Sequence, residues 1–277
     1  MIHIVTDSTS DLGPELVARH NLGVVPLSVH IAEKTFLDDF SVTGPELFAL
    51  VDESGDLPKT AAPSVGEFAA AFDVPGDVIY IGISSKLSAS VANARLAAET
   101  FPAGKVRIID SLNLSTGLGL LVLHGADLRD QGANAEEIER GVLAALPKVH
   151  MSFVIDTMKY LYMGGRCTAL QSLMGGLLHI RPVIYARPDG TLGVKDKVRG
   201  SRTRALDSML RDFHAHRDEV DLRRVFVTHP DSDADAAYLI AELAKQAPVQ
   251  EIISTHAGAV VSSHCGPGTI GVLYLLK

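Results

Sequence analysis

Cysteine is scarce in this chain: Cys167 and Cys265 are the only two in 277 residues. They lie far apart with no CxxC pair, which excludes a disulfide framework and a cysteine-based structural zinc site and fits a reducing cytoplasm. Long apolar runs are missing too. The longest, such as Leu118 to Leu123, are too short to cross a bilayer. Met1 is followed at once by Ile2, His3, Ile4 and Val5, without a charged n-region or a small-residue cleavage site. No transmembrane segment and no secretory signal are therefore expected. Basic charge is in deficit, with a net charge of −8, and aromatic residues make up 5%. Nucleic-acid binders carry a basic footprint and stacking rings, so no nucleic-acid partner is expected.

Phosphate-loop and dinucleotide signals are equally thin. No GxxxxGK[ST] occurs, and the single GxGxxG, at Gly266, Gly268 and Gly271, is followed by only six residues, too few for a βαβ unit. No cofactor is expected. Asp231, Asp233, Asp235 and Glu242 have calcium-loop spacing, but Ala236 stands where the loop needs glycine and Leu239 is apolar. They read as acids at a helix start, and no metal ligands are assigned.

What is present is a globular composition, 47% hydrophobic and 21% charged, at a length that suits two domains. Ile2 to Thr6, Val24 to Ile31, Val78 to Ile83 and Val106 to Ile109 read as strands alternating with helices. Thr43 caps one of those helices, and Ser64 with Glu67 forms a capping box for another. Pro147 marks a boundary. Beyond it, strands are expected at Phe153 to Ile155, Pro182 to Tyr185, Thr191 to Val198, Val225 to Thr228, Glu251 to Thr255, Ala259 to Ser263 and Ile270 to Leu275. Pro188-Asp189-Gly190 turns one hairpin, and helices follow Ser201 and Asp231, with a small-residue helix carrying Gly175 and Gly176. The expected fold class is α/β in two domains. Residues 1–147 form a largely parallel sheet with helices on both faces, and residues 148–277 a mixed-sheet domain.

The stretch from Val78 to Leu96 changes from strand to helical spacing and places Ser84, Ser85 and Ser88 at the change. Unpaired N–H groups and a positive dipole make such a spot a seat for an anion, or one serine simply caps the helix. Thr60 stands just outside the capping box, extended and free to face a cleft. His264 ends an apolar run and could donate to an anion or be a structural histidine. Lys195, Lys197 and Arg199 alternate along a strand and project from one face with Asp196 opposite, followed by Arg202 and Arg204, a basic face suited to an acidic partner or phosphate. A serine nucleophile is the alternative: Ser85 with His264 and an acid such as Asp7 would make an acyl esterase or phosphotransferase, although no GxSxG elbow is present.

Taken together, the chain resembles the DegV family. The resemblance rests on Thr6-Asp7-Ser8-Thr9, Thr60 with Pro63 to Phe68, Ile83 to Ser88, Asp110-Ser111, Asp156-Thr157 with Tyr160-Leu161 and Gly164-Gly165-Arg166, Lys197-Val198-Arg199, and His264 with Gly266-Pro267-Gly268. It departs from the family pattern in Ala61-Ala62 after the threonine and in Ala89-Ser90, where Gly-Thr is common. The resemblance implies a non-catalytic carrier with a long-chain fatty acid buried between its domains. It further implies that Thr60, Ser84, Ser85 and His264 hold the carboxylate. Arg166 and Arg199 would face the catalytic subunit of a fatty acid kinase, which makes the acyl phosphate.

Overall fold

The computed structural model describes residues 1–169 and 180–277. The chain opens with β1 (Ile2–Asp7), α1 (Gly13–Arg19), β2 (Leu22–Val25), β3 (Ser28–Ile31), β4 (Lys34–Leu37) and α2 (Gly44–Ser54). It continues through β5 (Lys59–Ala61), α3 (Val65–Phe72), β6 (Asp77–Gly82), α4 (Ser90–Ala98), β7 (Val106–Asp110), α5 (Ser115–Asp130) and α6 (Ala135–Ala145). Then come β8 (Val149–Val154), α7 (Lys159–Met163), β9 (Ile180–Ala186), β10 (Leu192–Arg199), α8 (Arg202–His216) and β11 (Val220–His229). The last elements are α9 (Asp233–Gln246), β12 (Glu251–His256), α10 (Ala259–Cys265) and β13 (Ile270–Leu276). The small-residue helix expected around Gly175 and Gly176 lies outside the described residues.

A parallel sheet in the order β2-β1-β6-β7 carries the first half. Alternation along β6 sends Val78 and Tyr80 toward α3 and α4, where they meet Phe68, Phe72 and Val91. Ile79 and Ile81 point the other way, onto Leu118 and Leu121 of α5 and Ile138 of α6. Helices thus cover both faces, as the unbroken apolar strand predicts. The turns after β1, β6 and β7 all leave the same sheet edge, because the three strands run in parallel.

The second half is a mixed sheet ordered β10-β9-β8-β13-β11-β12, in which only the β11–β12 pair is parallel. Helices α8 and α9 cover one face through Leu206, Met209, Phe213 and Leu239. The other face, with Phe153, Phe226 and Leu273, joins the cluster that contains α5. Helix α5 touches β1 and β6 on one side and β8, β11 and β13 on the other. A helix packed between two sheets must be apolar all round, which explains its buried run from Ser115 to Leu123.

Three local expectations are corrected. The run from Val24 to Ile31 is two strands, not one: β2 stops at Val25, and β3 starts at Ser28 in a separate three-stranded sheet, β4-β3-β5. Pro26 has no N–H to donate and a fixed φ, so the chain leaves one ladder there and enters another. The run from Ala259 to Ser263 is helix α10 rather than a strand. Short apolar runs fit either period, and here two distant acids decide: Asp11 Oδ1 accepts from Gly258 N at 2.8 Å and Asp38 Oδ1 from Ala259 N at 2.6 Å. Lastly, β10 carries a bulge between Val194 and Asp196. Lys195 ion-pairs with Asp212 and Asp196 accepts from Ser208, so both face α8 and the even alternation of basic residues is broken.

Candidate ligand-binding site

Thr60 reaches the site because its segment pairs with β3, Val29 opposite Thr60, just ahead of the capping box in which Ser64 accepts from Glu67 N and Glu67 accepts from Ser64 N. His264 arrives from the other half, in the last turn of α10. Their side chains meet, with Thr60 Oγ1 2.9 Å from His264 Nε2. Burial, and then the Arg166 guanidinium, lower the imidazole pKa to about 4, so the ring is neutral near pH 7. Its Nδ1 is buried with no partner among the described residues. A buried N–H there would be orphaned, so the ring proton belongs on Nε2, donated to Thr60 Oγ1, which leaves the Thr60 hydroxyl proton free for an acceptor.

Behind this pair lies a cavity of about 210 Å³ whose wall is largely apolar, including Leu27, Ile83, Leu87, Leu114, Leu192 and Val261. A smaller void of about 30 Å³ continues beyond Leu114, Val261 and Cys265, which line both, toward Met151, Phe153 and Leu273. On the outer side Thr60, Arg166 and His264 also line an open groove of about 630 Å³ that includes Lys34, Lys59, Glu33 and Asp56. The donor cluster therefore stands where a greasy interior meets a polar exterior.

The other expected residues are not all brought here. Ser84 is fully buried, and its hydroxyl donates to Gly190 O at 2.8 Å, tying the β6 turn to the β9–β10 turn. Ser85 is exposed, and its N–H donates to Asp110 Oδ1 at 3.1 Å. Neither lines the cavity. From that turn the cavity receives Ser88, whose hydroxyl is 2.9 Å from Ser90 Oγ. Arg166 lines both cavity and groove, with Nη1 donating to Gly164 O at 2.6 Å and Nε to Leu87 O at 3.3 Å. Arg199 is exposed at the end of β10, away from both.

Thr9 and Gly164 escaped the sequence reading as site residues. Thr9 lines the cavity, and its hydroxyl bonds Asp7 in the buried turn after β1, visible in sequence only as one hydroxyl among several. Gly164 lies against His264: a Cβ there would be 2.5 Å from Nδ1. The Gly266 and Gly268 pair forms the α10–β13 turn, with φ of 78° and 70° and Gly268 N donating to Asp231. Of the acids at calcium-loop spacing, Asp235 is ion-paired with Arg202 and Asp231 accepts from Gly268 N, so these two serve the fold.

The model of the family described as "Uncharacterised protein, DegV family" matches residues 1–277. The chain belongs to the DegV family. A DegV domain-containing protein of Deinococcus radiodurans is 33% identical over 276 residues, covering 98% of this chain and 97% of the relative. Among solved structures, a DegV family protein from Thermus thermophilus, described for its fatty acid binding, superposes with a TM-score of 0.93 at 32% identity over 100% of this chain and 99% of that one. DegV of Bacillus subtilis, described as a fatty acid binding protein, gives 0.89 at 26% identity, again over 100% and 99%. The Fatty Acid Kinase (Fak) B3 protein of Streptococcus pneumoniae, loaded with linoleic acid, gives 0.85 at 25% identity over the whole of both chains. Fatty acid binding is thus a property of members of this family, one of them a Fatty Acid Kinase (Fak) B3 protein. No described helix of this chain is long and apolar enough to cross a membrane.

Proposed function

We propose that this chain binds a long-chain fatty acid between residues 1–147 and 148–277, taken as its two domains, and presents the carboxylate to the catalytic subunit of a fatty acid kinase. The observation that carries this reading is the Thr60–His264 pair at the mouth of an apolar cavity. The freed Thr60 hydroxyl donates to the carboxylate, and the remaining Arg166 N–H groups supply charge beside it. Arg166, on the outer groove, and Arg199 face the kinase. Burying an acyl tail is worth about 0.8 kcal/mol per methylene, so about sixteen carbons contribute roughly 13 kcal/mol before binding costs. The tail sets affinity and the donors set orientation. An apolar cavity of about 150 Å³ accepts benzene. The larger cavity here therefore takes the first part of the chain, and the rest enters the smaller void as the shared wall of Leu114, Val261 and Cys265 turns aside. The scarcity of cysteine and a kinase partner both favour a cytoplasmic setting.

A serine-dependent esterase or phosphotransferase is disfavoured by the same geometry. Hydrolytic histidines pair with the nucleophile and are oriented by an acceptor on the other nitrogen, whereas His264 pairs with Thr60 and its Nδ1 faces no acceptor among the described residues. Native mass spectrometry of gently purified protein tests the carrier reading. A co-purified fatty acid is expected, with affinity for added oleate lowered only roughly tenfold in Thr60→Ala; protein that is consistently empty, and that takes up no added oleate, overturns it.

A further inference from the structure

On the face of the second sheet remote from the lipid cavity, α8 places Asp212 and His216 one turn apart, and both approach His150 of β8. His150 shares its strand face with Ser152 and Val154, and Val154 belongs to the cluster packed under α8. One ring nitrogen of each histidine and a carboxylate oxygen of Asp212 lie within 4.8 Å of one another. We propose that His150, Asp212 and His216 form a binding site for a late first-row divalent ion of the zinc type.

Several independent features point to a cation here. The spot already attracts one, since the Lys195 ammonium sits on Asp212 Oδ1. His216 Nδ1 lies 4.0 Å from Asp212 Oδ1 and donates to the Asp212 carbonyl at 2.8 Å, so the free lone pair is on Nε2, and the ring turns to present it while that carbonyl supplies the kind of outer hydrogen bond that histidine ligands normally make. His150 meets its neighbours through ring packing, its centroid 4.5 Å from that of His216 and 5.5 Å from that of Tyr274. Two imidazoles and one carboxylate suit zinc, nickel or copper rather than calcium or magnesium. Zinc with donors at about 2.0–2.1 Å would draw the three together by side-chain rotation. Lys195 keeps 38% of its side chain exposed, so its ammonium can withdraw into the adjoining groove of about 630 Å³, which His150 and Lys195 both line. Three protein donors leave the fourth position open to that groove, as in sites that exchange a water or small ligand.

The second histidine cluster lacks these properties. His229 Nδ1 accepts from Ser232 N at 2.9 Å, so its proton sits on Nε2, the nitrogen that faces Asp233. Asp233 and His256 there are largely exposed, at 78% and 68%, so that cluster is the more loosely held.

Calorimetric titration of the chelator-treated full chain with Zn²⁺ alone tests the proposal. One equivalent is expected to bind, with affinity reduced roughly tenfold or more in His150→Ala and in His216→Ala, and unchanged in His256→Ala. Lys195→Met removes the competing ammonium and should tighten binding. Should either histidine variant fail to fold, mass-resolved protection of His150 and His216 of the native chain from diethyl pyrocarbonate by Zn²⁺ reads the same site. The proposal is overturned if Zn²⁺ affinity survives both histidine substitutions, if it is lost in His256→Ala, or if Zn²⁺ protects neither ring.

Discussion

His264 shows how one side chain can be both buried and available. Its imidazole is neutral, packed against Gly164, and joined to the first half of the chain only through Thr60 among the described residues. Because the pKa falls from 6.5 to about 4 on folding, the unfolded chain takes up the proton first as pH drops. The stability this residue contributes is complete above pH 6.5 and is lost as pH falls toward 4, an amount on the order of 3 kcal/mol. Asp7, Asp11 and Asp38 act in the opposite sense. Burial raises their pKa values, so their share is complete below about 3.8 and lost as pH rises through the raised values. Urea midpoints of the native chain and His264→Gln, compared from pH 7 to 4, isolate the histidine: the native curve should fall more steeply, and parallel curves would remove this account. Gly164→Ala is a geometric companion. A methyl group 2.5 Å from Nδ1 must push the ring off Thr60, so fatty-acid affinity should drop roughly tenfold in a fluorescent displacement assay.

At the scale of elements, α10 is the piece whose conformation was hardest to read and whose position matters most. Its apolar run fits a strand as well as a helix, and what settles the matter lies more than 200 residues earlier, in the carboxylates of Asp11 and Asp38 at its first N–H groups. Sequence proximity could not reveal that pairing. Capping by neighbours was legible: Ser64 with Glu67 and Thr43 with Glu46 each form the expected box, since donor and acceptor are three residues apart. The strand-to-helix switch after β6 was legible as well. Which hydroxyl of that turn faces the cavity was not, because Ser84 is turned away by Gly190 in a different hairpin. The β10 bulge escaped for a similar reason, as α8 captures Lys195 and Asp196 on one side. If α10 aims His264, then Asp38→Ala, which strips the acceptor from Ala259 N, should cost about 1–2 kcal/mol in urea unfolding and also weaken fatty-acid binding. Asp38→Asn, which retains an oxygen acceptor, should recover most of both. A stability loss with unchanged affinity would show that the ring is aimed by something else.

At the scale of the molecule, α5 joins the halves. It packs between the sheets, Thr116 bonds Thr228 across them at 2.7 Å, and Arg224 grips both oxygens of Asp127 at 2.6 and 2.9 Å. Such a fixed frame leaves little room for the two halves to open as rigid bodies, so a long ligand must make its space from side chains along the α5–α10 seam. Leu114 at the start of α5 and Val261 and Cys265 on α10 stand between the two voids. Val261→Phe enlarges that wall without touching the Thr60–His264 pair. Short acyl chains that end before the wall should bind the variant as they bind the native chain, whereas each methylene denied burial costs long chains about 0.8 kcal/mol. Two such methylenes are worth roughly a tenfold rise in Kd. Titrating native and variant chains with saturated fatty acids of increasing length should therefore give curves that coincide for short chains and separate beyond a threshold length. Equal losses at every length would place the tail elsewhere, and coincident curves throughout would mean that it never passes Val261.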